Sequence, residues 1–322
     1  MIATASSASQ FPPYELLHDW EHRASDKTHR LERLYHQTQA RSWDPRAVLD
    51  ELEAKHGGIH VPEDKREAMG HVFTVILWGE LAAWNIAADL ARQLPDVDAK
   101  MAATGQVFDE ARHFTVMRDY FTRAKITLPP MNPFGRRVLL KILETDSVLE
   151  KLYGMQLLVE NLALAIFKQV AATNIEPVLT DLLEYVERDE SRHVALGVMY
   201  LPKLLASTSA TERAHNWAFN MELFFLTIGG GVLLDEHFKA LGIDHRQLGA
   251  TAQRLHEQVL RQMGEDMGLR PGQRVRGSYG LSKQQRQWML DFLHPAGPMS
   301  PSHARAMKVV DRTMRAVAGW MS

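Results

Sequence analysis

The 322-residue chain carries 37 Lys and Arg against 39 Asp and Glu, a balance that gives no global field to attract nucleic acid or an anionic membrane. It has fifteen His and no Cys. Disulfides, thiolate metal sites, Cys-held iron–sulfur clusters and thiol nucleophiles are therefore excluded, and any metal must be held by N and O.

Residues 1–12 have neither the basic segment nor the apolar run of a secretory signal, and read as a short disordered leader of a cytoplasmic protein. From 13 onward apolar residues recur at spacings of three and four, and no alternating strand pattern appears, so the class is all-α. In chain order the helices fall at roughly 13–40, 46–55, 66–94, 97–124, 133–145, 147–173, 176–206, 211–241, 246–267, 282–293 and 301–320. Pro and Gly punctuate them: "LPPMNPFG" separates two helix pairs, and "IEP" puts a Pro in the first turn of a helix. "RPGQRVRGSYG" is the one long polar loop. Its basic residues read as a solvated loop, or else as a dock for an anionic partner domain. The most apolar stretches, around Glu80, Glu160 and Glu222, are each interrupted by that acid. A membrane span carries few or no charges over about 20 residues, so these stretches read as buried helices of a soluble protein.

Five Glu-x-x-His pairs occur, and Glu and His three apart share one helix face and can offer two ligands to one metal ion. Glu15/His18, Glu53/His56 and Glu212/His215 sit in polar, surface-like contexts. The pairs Glu110/His113 and Glu190/His193 lie in matched pentapeptides, "DEARH" at 109–113 and "DESRH" at 189–193. Each is preceded by a lone acid at the same interval, Glu80 thirty residues before Glu110 and Glu160 thirty before Glu190. At 1.5 Å per residue, 14 residues up one helix and 13 down the next span roughly 20 Å each. Glu80 and Glu110 thus meet at one height on an antiparallel hairpin, and Glu160 and Glu190 meet likewise on a second. Two such hairpins face to face assemble four Glu and two His. Glu80 and Glu160 are surrounded by apolar neighbours, where an ionised carboxylate is costly unless paired or metal-bound.

This arrangement resembles the ferritin-like di-iron carboxylate superfamily, which includes the ribonucleotide reductase small subunit, the bacterial multicomponent monooxygenases and the arylamine N-oxygenases. The resemblance is close over about 70–206 and loose elsewhere. It implies a ferritin-like four-helix bundle at about 66–206, with additional flanking helices, in one domain spanning 13–322. Glu80, Glu110 and His113 would serve one iron and Glu160, Glu190 and His193 the other, with Glu110 and Glu190 bridging. Manganese with iron is the alternative metal pair, and O2 the co-substrate. Asp189 would orient His113 and Asp109 would orient His193, as metal-bound His generally require, while Arg112 and Arg192 balance the charge. "SWDP" at 42–45 is similar to an element that precedes the bundle in these relatives, and would set Trp43 beside Asp189 as an electron-transfer or packing residue.

Several positions depart from particular relatives. The radical tyrosine of the reductase small subunit is replaced by Met117. The crosslinking Val and Tyr of the ligand-binding oxidases are Ala82 and Met155, and the extra ligand His of the N-oxygenases is Val186. The oxygenase and desaturase Thr positions are Leu164 and Ala163. Together they imply an apolar oxygen pocket, with Phe73, Leu77, Ala83, Trp84, Leu157, Ala163 and Phe167 as its expected wall and "MELFFLTIGGGVLL" as a further side. The resulting expectation is an O2-activating oxidase or oxygenase for a small hydrophobic, aromatic or carrier-bound metabolite. It would be served by an external ferredoxin or reductase, because no flavin or nicotinamide fingerprint occurs, and it would form a homodimer. An iron-handling or peroxide-detoxifying protein without an organic substrate is the alternative.

Overall fold

The computed structural model describes residues 26–270 and 283–321. The expected leader, the start of the first helix, Glu15/His18 and the basic loop from 271 onward lie outside the described residues. Those described are helical with no strand. The elements are α1 (Asp26–Ala40), α2 (Pro45–His56), a short 3₁₀ turn (Glu63–Lys65), α3 (Arg66–Gln93), α4 (Val97–Arg123), α5 (Pro133–Glu144), α6 (Val148–Leu152), a π-helical segment (Tyr153–Val159), α7 (Glu160–Thr173), α8 (Pro177–Ser207), α9 (Ala210–Ala240), α10 (His245–Asp266), α11 (Lys283–Leu293) and α12 (Pro301–Met321).

Local chemistry sets most of these boundaries. Asp44 caps α2 by accepting from the Arg46 and Ala47 amides, Asn132 caps α5, and each cap is followed by a Pro at the first helical position. Glu176 caps α8 through the Leu179 amide at 2.8 Å, and its carboxylate also accepts from the buried Tyr120 hydroxyl at 2.9 Å. Ser209 and Glu212 form a capping box at the start of α9. Glu212 of the last Glu-x-x-His pair is thereby a helix cap rather than a ligand.

The bundle is made of two antiparallel hairpins, α3–α4 and α7–α8, with α4 also packed along α8. Outside it, α1 and α2 cover α4 and α8, α9 lies along α3 and α5, and α10 lies along α7 and α8. Among the described residues three segments, Glu63–Gln93, Val148–Thr173 and Ala210–Ala240, are long and apolar enough to cross a membrane by length and composition. The first two contribute bundle helices that carry Glu80 and Glu160 on buried faces. The third, containing α9, has only a third of its most apolar window buried and leaves Trp217 and Phe225 exposed.

One local feature departs from the regular helix expected over 147–173. Between α6 and α7 the chain widens into seven residues of π-helix, and the amide of Glu160 bonds back to the Met155 carbonyl, five residues earlier. At the end of this segment Asn161 donates from its side chain to the Leu157 carbonyl at 2.8 Å. Because the π turn lies before Glu160, the height at which Glu160 meets Glu190 is unaffected.

Candidate metal centre

Halfway along the bundle, Glu80, Glu110, His113 and Glu190 bring one ligand atom each within 4.8 Å of one another, and so do Glu110, Glu160, Glu190 and His193. All six residues are buried. The two groups share Glu110 and Glu190, the pair at which bridging carboxylates are expected. His113 turns Nδ1 inward, 3.3 Å from Glu80 Oε2 and 3.0 Å from Glu190 Oε1. His193 does the same, with Nδ1 3.0 Å from Glu110 Oε1 and 2.8 Å from Glu190 Oε2.

Several of these inward atoms lack hydrogen-bond partners although water does not reach them: Glu80 Oε2, Glu110 Oε2, Glu190 Oε1 and His113 Nδ1. Buried polar atoms are nearly always satisfied. A set of lone pairs that converge without donors between them fits cations. Four carboxylates and two imidazoles, with no sulfur, form a hard oxygen-and-nitrogen set suited to iron or manganese.

Electrostatics agree with that fit. Burial pushes the Glu80 carboxyl up to about 8, with Glu190 and Glu110 adding to it against the pull of the adjacent His113 imidazole. Burial, then Glu190 and Glu110, raises Glu160 well above the usual carboxylate range. Burial would also raise Glu110 and Glu190, but His193 and His113 bring both below that range. The same burial would lower the two imidazoles, and the carboxylates around them instead hold both well above their ordinary value. Without cations the cluster therefore retains protons. Two divalent ions would balance the four carboxylates one charge for one.

The outer residues form a crossed network. Asp189 Oδ2 lies 3.3 Å from His113 Nε2, and Asp109 Oδ2 lies 3.3 Å from His193 Nε2, so each Asp faces the imidazole of the opposite pentapeptide. Arg192 donates to both Asp at 2.8 Å, while Arg112 donates to Asp189 at 3.0 Å and to Asp109. Burial would raise the two Asp carboxyls, but hydrogen bonds to His193 and His113 respectively, with the Arg192 charge, hold them below their usual range. Arg112 and Arg192 thus neutralise the two Asp, leaving the Glu charge to the centre itself. Trp43 donates through Nε1 to Asp189 Oδ2 at 2.8 Å, and the Arg112 guanidinium stacks over its ring at 5.0 Å.

A cavity of about 320 Å³ reaches this cluster, with Glu80, Glu110 and Glu160 at its inner end. Of the expected wall, Ala83, Leu157 and Ala163 line it, whereas Phe73, Leu77, Trp84 and Phe167 do not. Phe73 and Phe167 belong to the core below the centre, Leu77 packs on that core, and Trp84 lies near Phe114 instead. The opposite side comes from α9 and α10. Gly230 and Gly231 line the cavity, while Gly229 faces Phe134 so closely that a Cβ would lie 2.7 Å from the ring. Farther out, His245 and His294 stack at 4.5 Å and His245 Nδ1 meets Asp235 at 2.6 Å. The other Asp235 oxygen pairs with Lys239, so this outer group is internally satisfied.

One residue absent from the expected site touches it directly, and a second braces the first. Gln106 donates from Nε2 to Glu110 Oε1 at 3.1 Å and to Glu160 Oε1 at 2.8 Å, and Gln156 donates to Gln106 Oε1 at 3.0 Å. The position of Gln106, one helical turn before Glu110 on the same face, was the available signal.

The sequence profile of the methane/phenol/alkene hydroxylase family matches residues 5–136, a span that includes Trp43, Glu80, Glu110 and His113 and ends before Glu160. No curated protein matches the chain by sequence. Among solved structures, a protein with aldehyde deformylating oxidase activity from Synechococcus superposes with a TM-score of 0.55 at 18% identity, over 71% of this chain and 97% of its own. A variant of an R2-like ligand-binding oxidase with anaerobically reconstituted Mn/Fe cofactor gives 0.59 at 18% identity, over 74% and 94%. Another variant of that oxidase gives 0.56 at 16% identity, over 80% and 98%. The fold is therefore that of the ferritin-like helical bundles, shared over 71–80% of the chain.

Proposed function

We propose that the protein is an O2-dependent dimetal oxidoreductase that oxidises or oxygenates a small hydrophobic substrate held in the cavity between the bundle and α9–α10. The observation that carries this reading is the pair of ligand groups sharing Glu110 and Glu190 at the inner end of a largely apolar cavity. Glu80, Glu110 and His113 would hold one ion and Glu160, Glu190 and His193 the other, with iron in both positions or manganese in one. Two redox-active ions so held supply the two electrons that the first reduction of O2 requires.

The chain's own residues then have definite tasks. The cavity wall excludes water and orients an apolar molecule against the cluster. Asp109 and Asp189 hold the Nε2 protons of His193 and His113, which keeps each Nδ1 lone pair facing inward. Trp43, bonded to Asp189, continues that line toward α1 and α2, the side on which an external electron donor would dock. Trp43→Phe removes the indole donor, and should leave metal content unchanged while slowing reduction of the oxidised centre by roughly 10- to 100-fold. Stopped-flow reduction by a chemical donor measures this, and an unchanged rate excludes the route.

The substrate assignment is tested by narrowing the cavity. In Ala163→Phe, O2 uptake stimulated by small apolar compounds should vanish, while the single O2 reaction of the reduced centre without substrate persists. Equal stimulation in both proteins would contradict this cavity as the substrate site. Sustained turnover of ferrous ion alone, with mineral formation, would favour iron handling instead.

A further inference from the structure

The two halves of the centre are related by a shift of eighty residues: Glu80 to Glu160, Asp109 to Asp189, Glu110 to Glu190, Arg112 to Arg192 and His113 to His193. Around these equivalent groups the neighbours are not equivalent. Gln106, one turn before Glu110, has Val186 as its counterpart, and Gln156, one turn before Glu160, has Ile76. Gly197, one turn after His193, has Met117. Ile76, Met117 and Val186 are buried together in the apolar core below the centre. Their counterparts form a buried amide pair and the gap that admits it, since a Cβ at Gly197 would lie 2.7 Å from the Gln156 Cβ.

The hydrogen bonds fix how this pair acts. A carboxylate only accepts, so Gln106 must turn its NH₂ toward Glu110 and Glu160 and its carbonyl toward Gln156. Gln156 stands in the π-helical segment, whose last bond fixes the backbone of Glu160 itself. One oxygen of Glu160 is thus tied by an amide that is anchored in turn. Glu80 has no such amide: its Oε2 faces the His113 Nδ1 at 3.3 Å, and Ile76 and Val186 offer no donor. The buried amide of Gln156, a glycine in the middle of α8 and a run of π-helix each work against stability, and all three fall on the half that carries Glu160 and His193.

We infer that Gln106, anchored by Gln156, makes the two metal positions unequal by holding Glu160 in a single orientation, so that the Glu160/His193 position is preorganised and fills first, while Glu80 is left free to change its mode of coordination. Both glutamines are positioning residues. The inference rests on the two-ion reading given above, and its test separates failure of one from failure of the other.

The experiment is an anaerobic titration of the metal-free protein with Mn²⁺ alone, followed by calorimetry and by the EPR signal of the bound ion, with His193→Ala and His113→Ala assigning the steps. Wild type should bind two ions in two resolved steps, the tighter one lost in His193→Ala. Gln106→Leu, close in volume to the native side chain, should weaken that step by roughly 10- to 100-fold and leave the other within about threefold. Gln156→Leu should weaken the same step less, because Gln106 still reaches Glu160 but is no longer anchored. Circular dichroism qualifies each variant, and if Gln106→Leu does not fold, Gln156→Leu reads the same step. Equal weakening of both steps, or no change in either while wild type binds two ions, would overturn the inference alone. A wild-type protein that binds no Mn²⁺ would overturn the two-ion reading with it.

Discussion

Glu110→Gln is expected to abolish paired metal binding and to lower O2 consumption by roughly 10³-fold or more, the scale found when one member of a cooperating set is removed. Glu110 belongs to both ligand groups, so the substitution weakens both positions at once, whereas a change at Glu80 or Glu160 removes a ligand from one. The amide keeps the side chain's volume, and Gln106 remains within reach. His113 still faces Glu80 and Glu190, and His193 still faces Glu190, so neither imidazole loses all its carboxylates. The metal-free variant should therefore fold, with stability within about 2 kcal/mol of wild type. What disappears is the rise in Tm on adding metal, because that rise reflects binding to the native state only. Metal analysis, O2 uptake and thermal melts with and without metal check all three. A variant retaining two ions and full O2 uptake would remove Glu110 from the centre.

The second large effect is on the pH dependence of stability in the metal-free protein. Glu80, raised to about 8, and Glu160, raised well above its usual value, bind protons in the folded chain that the unfolded chain has already released near pH 5. His113 and His193, raised well above their ordinary value, act in the same direction. A group whose folded pKa exceeds its unfolded one contributes stability that is present below the unfolded pKa and lost as pH rises through the folded one. The slope is at most about 1.4 kcal/mol per pH unit for each proton held only in the folded state. Glu110 and Glu190 are depressed and have the opposite sign, but their contribution is lost on acidification below about pH 4.5. Burial lowers His256 and His294 to about 4, which opposes the decline until the unfolded chain has also released those protons. Between about pH 7 and 8, then, denaturation of the chelated protein should show stability falling as pH rises. Saturating metal should remove that decline, because cations replace the protons. A flat or rising profile without metal would mean that the buried carboxylates are ionised and paired some other way.

How far the sequence discloses the structure depends on which physical signal each feature leaves. Two helix starts were legible because they are written in short-range chemistry, Asn132 before Pro133 and Glu176 before Pro177, whereas the caps made by Asp44 and by Ser209 with Glu212 emerged only in the structure. Convergence of the six candidate ligands was legible because helical rise converts the thirty-residue intervals into equal heights. The π-helical segment was not, since "YGMQLLV" carries the same apolar spacing as a regular helix and its extra residue is stabilised by tertiary contacts. Gly154, for example, sits where a Cβ would lie 2.7 Å from Ile142. The cavity wall was half legible. Ala83 and Ala163 were assigned correctly, but whether Phe73, Phe167 and Trp84 face the cavity or the core depends on where α9 and α10 lie, which periodicity within one helix does not encode. Gln106 left a readable mark, a polar residue one turn before Glu110 on a buried face, but only contact with Glu160 across the bundle gives it meaning.

The most direct test of the central claim is metal loading followed by oxygen exposure of the wild-type protein. Ferrous ion is added anaerobically to saturation, unbound metal is removed, bound metal is counted, and the sample is mixed rapidly with O2 while O2 consumption is followed. Two ions per chain and prompt uptake of about one O2 per centre are expected, since two ions supply the two electrons of the first reduction. A chain that holds no stoichiometric metal after loading, or that holds two ions and consumes no O2, would contradict the claim.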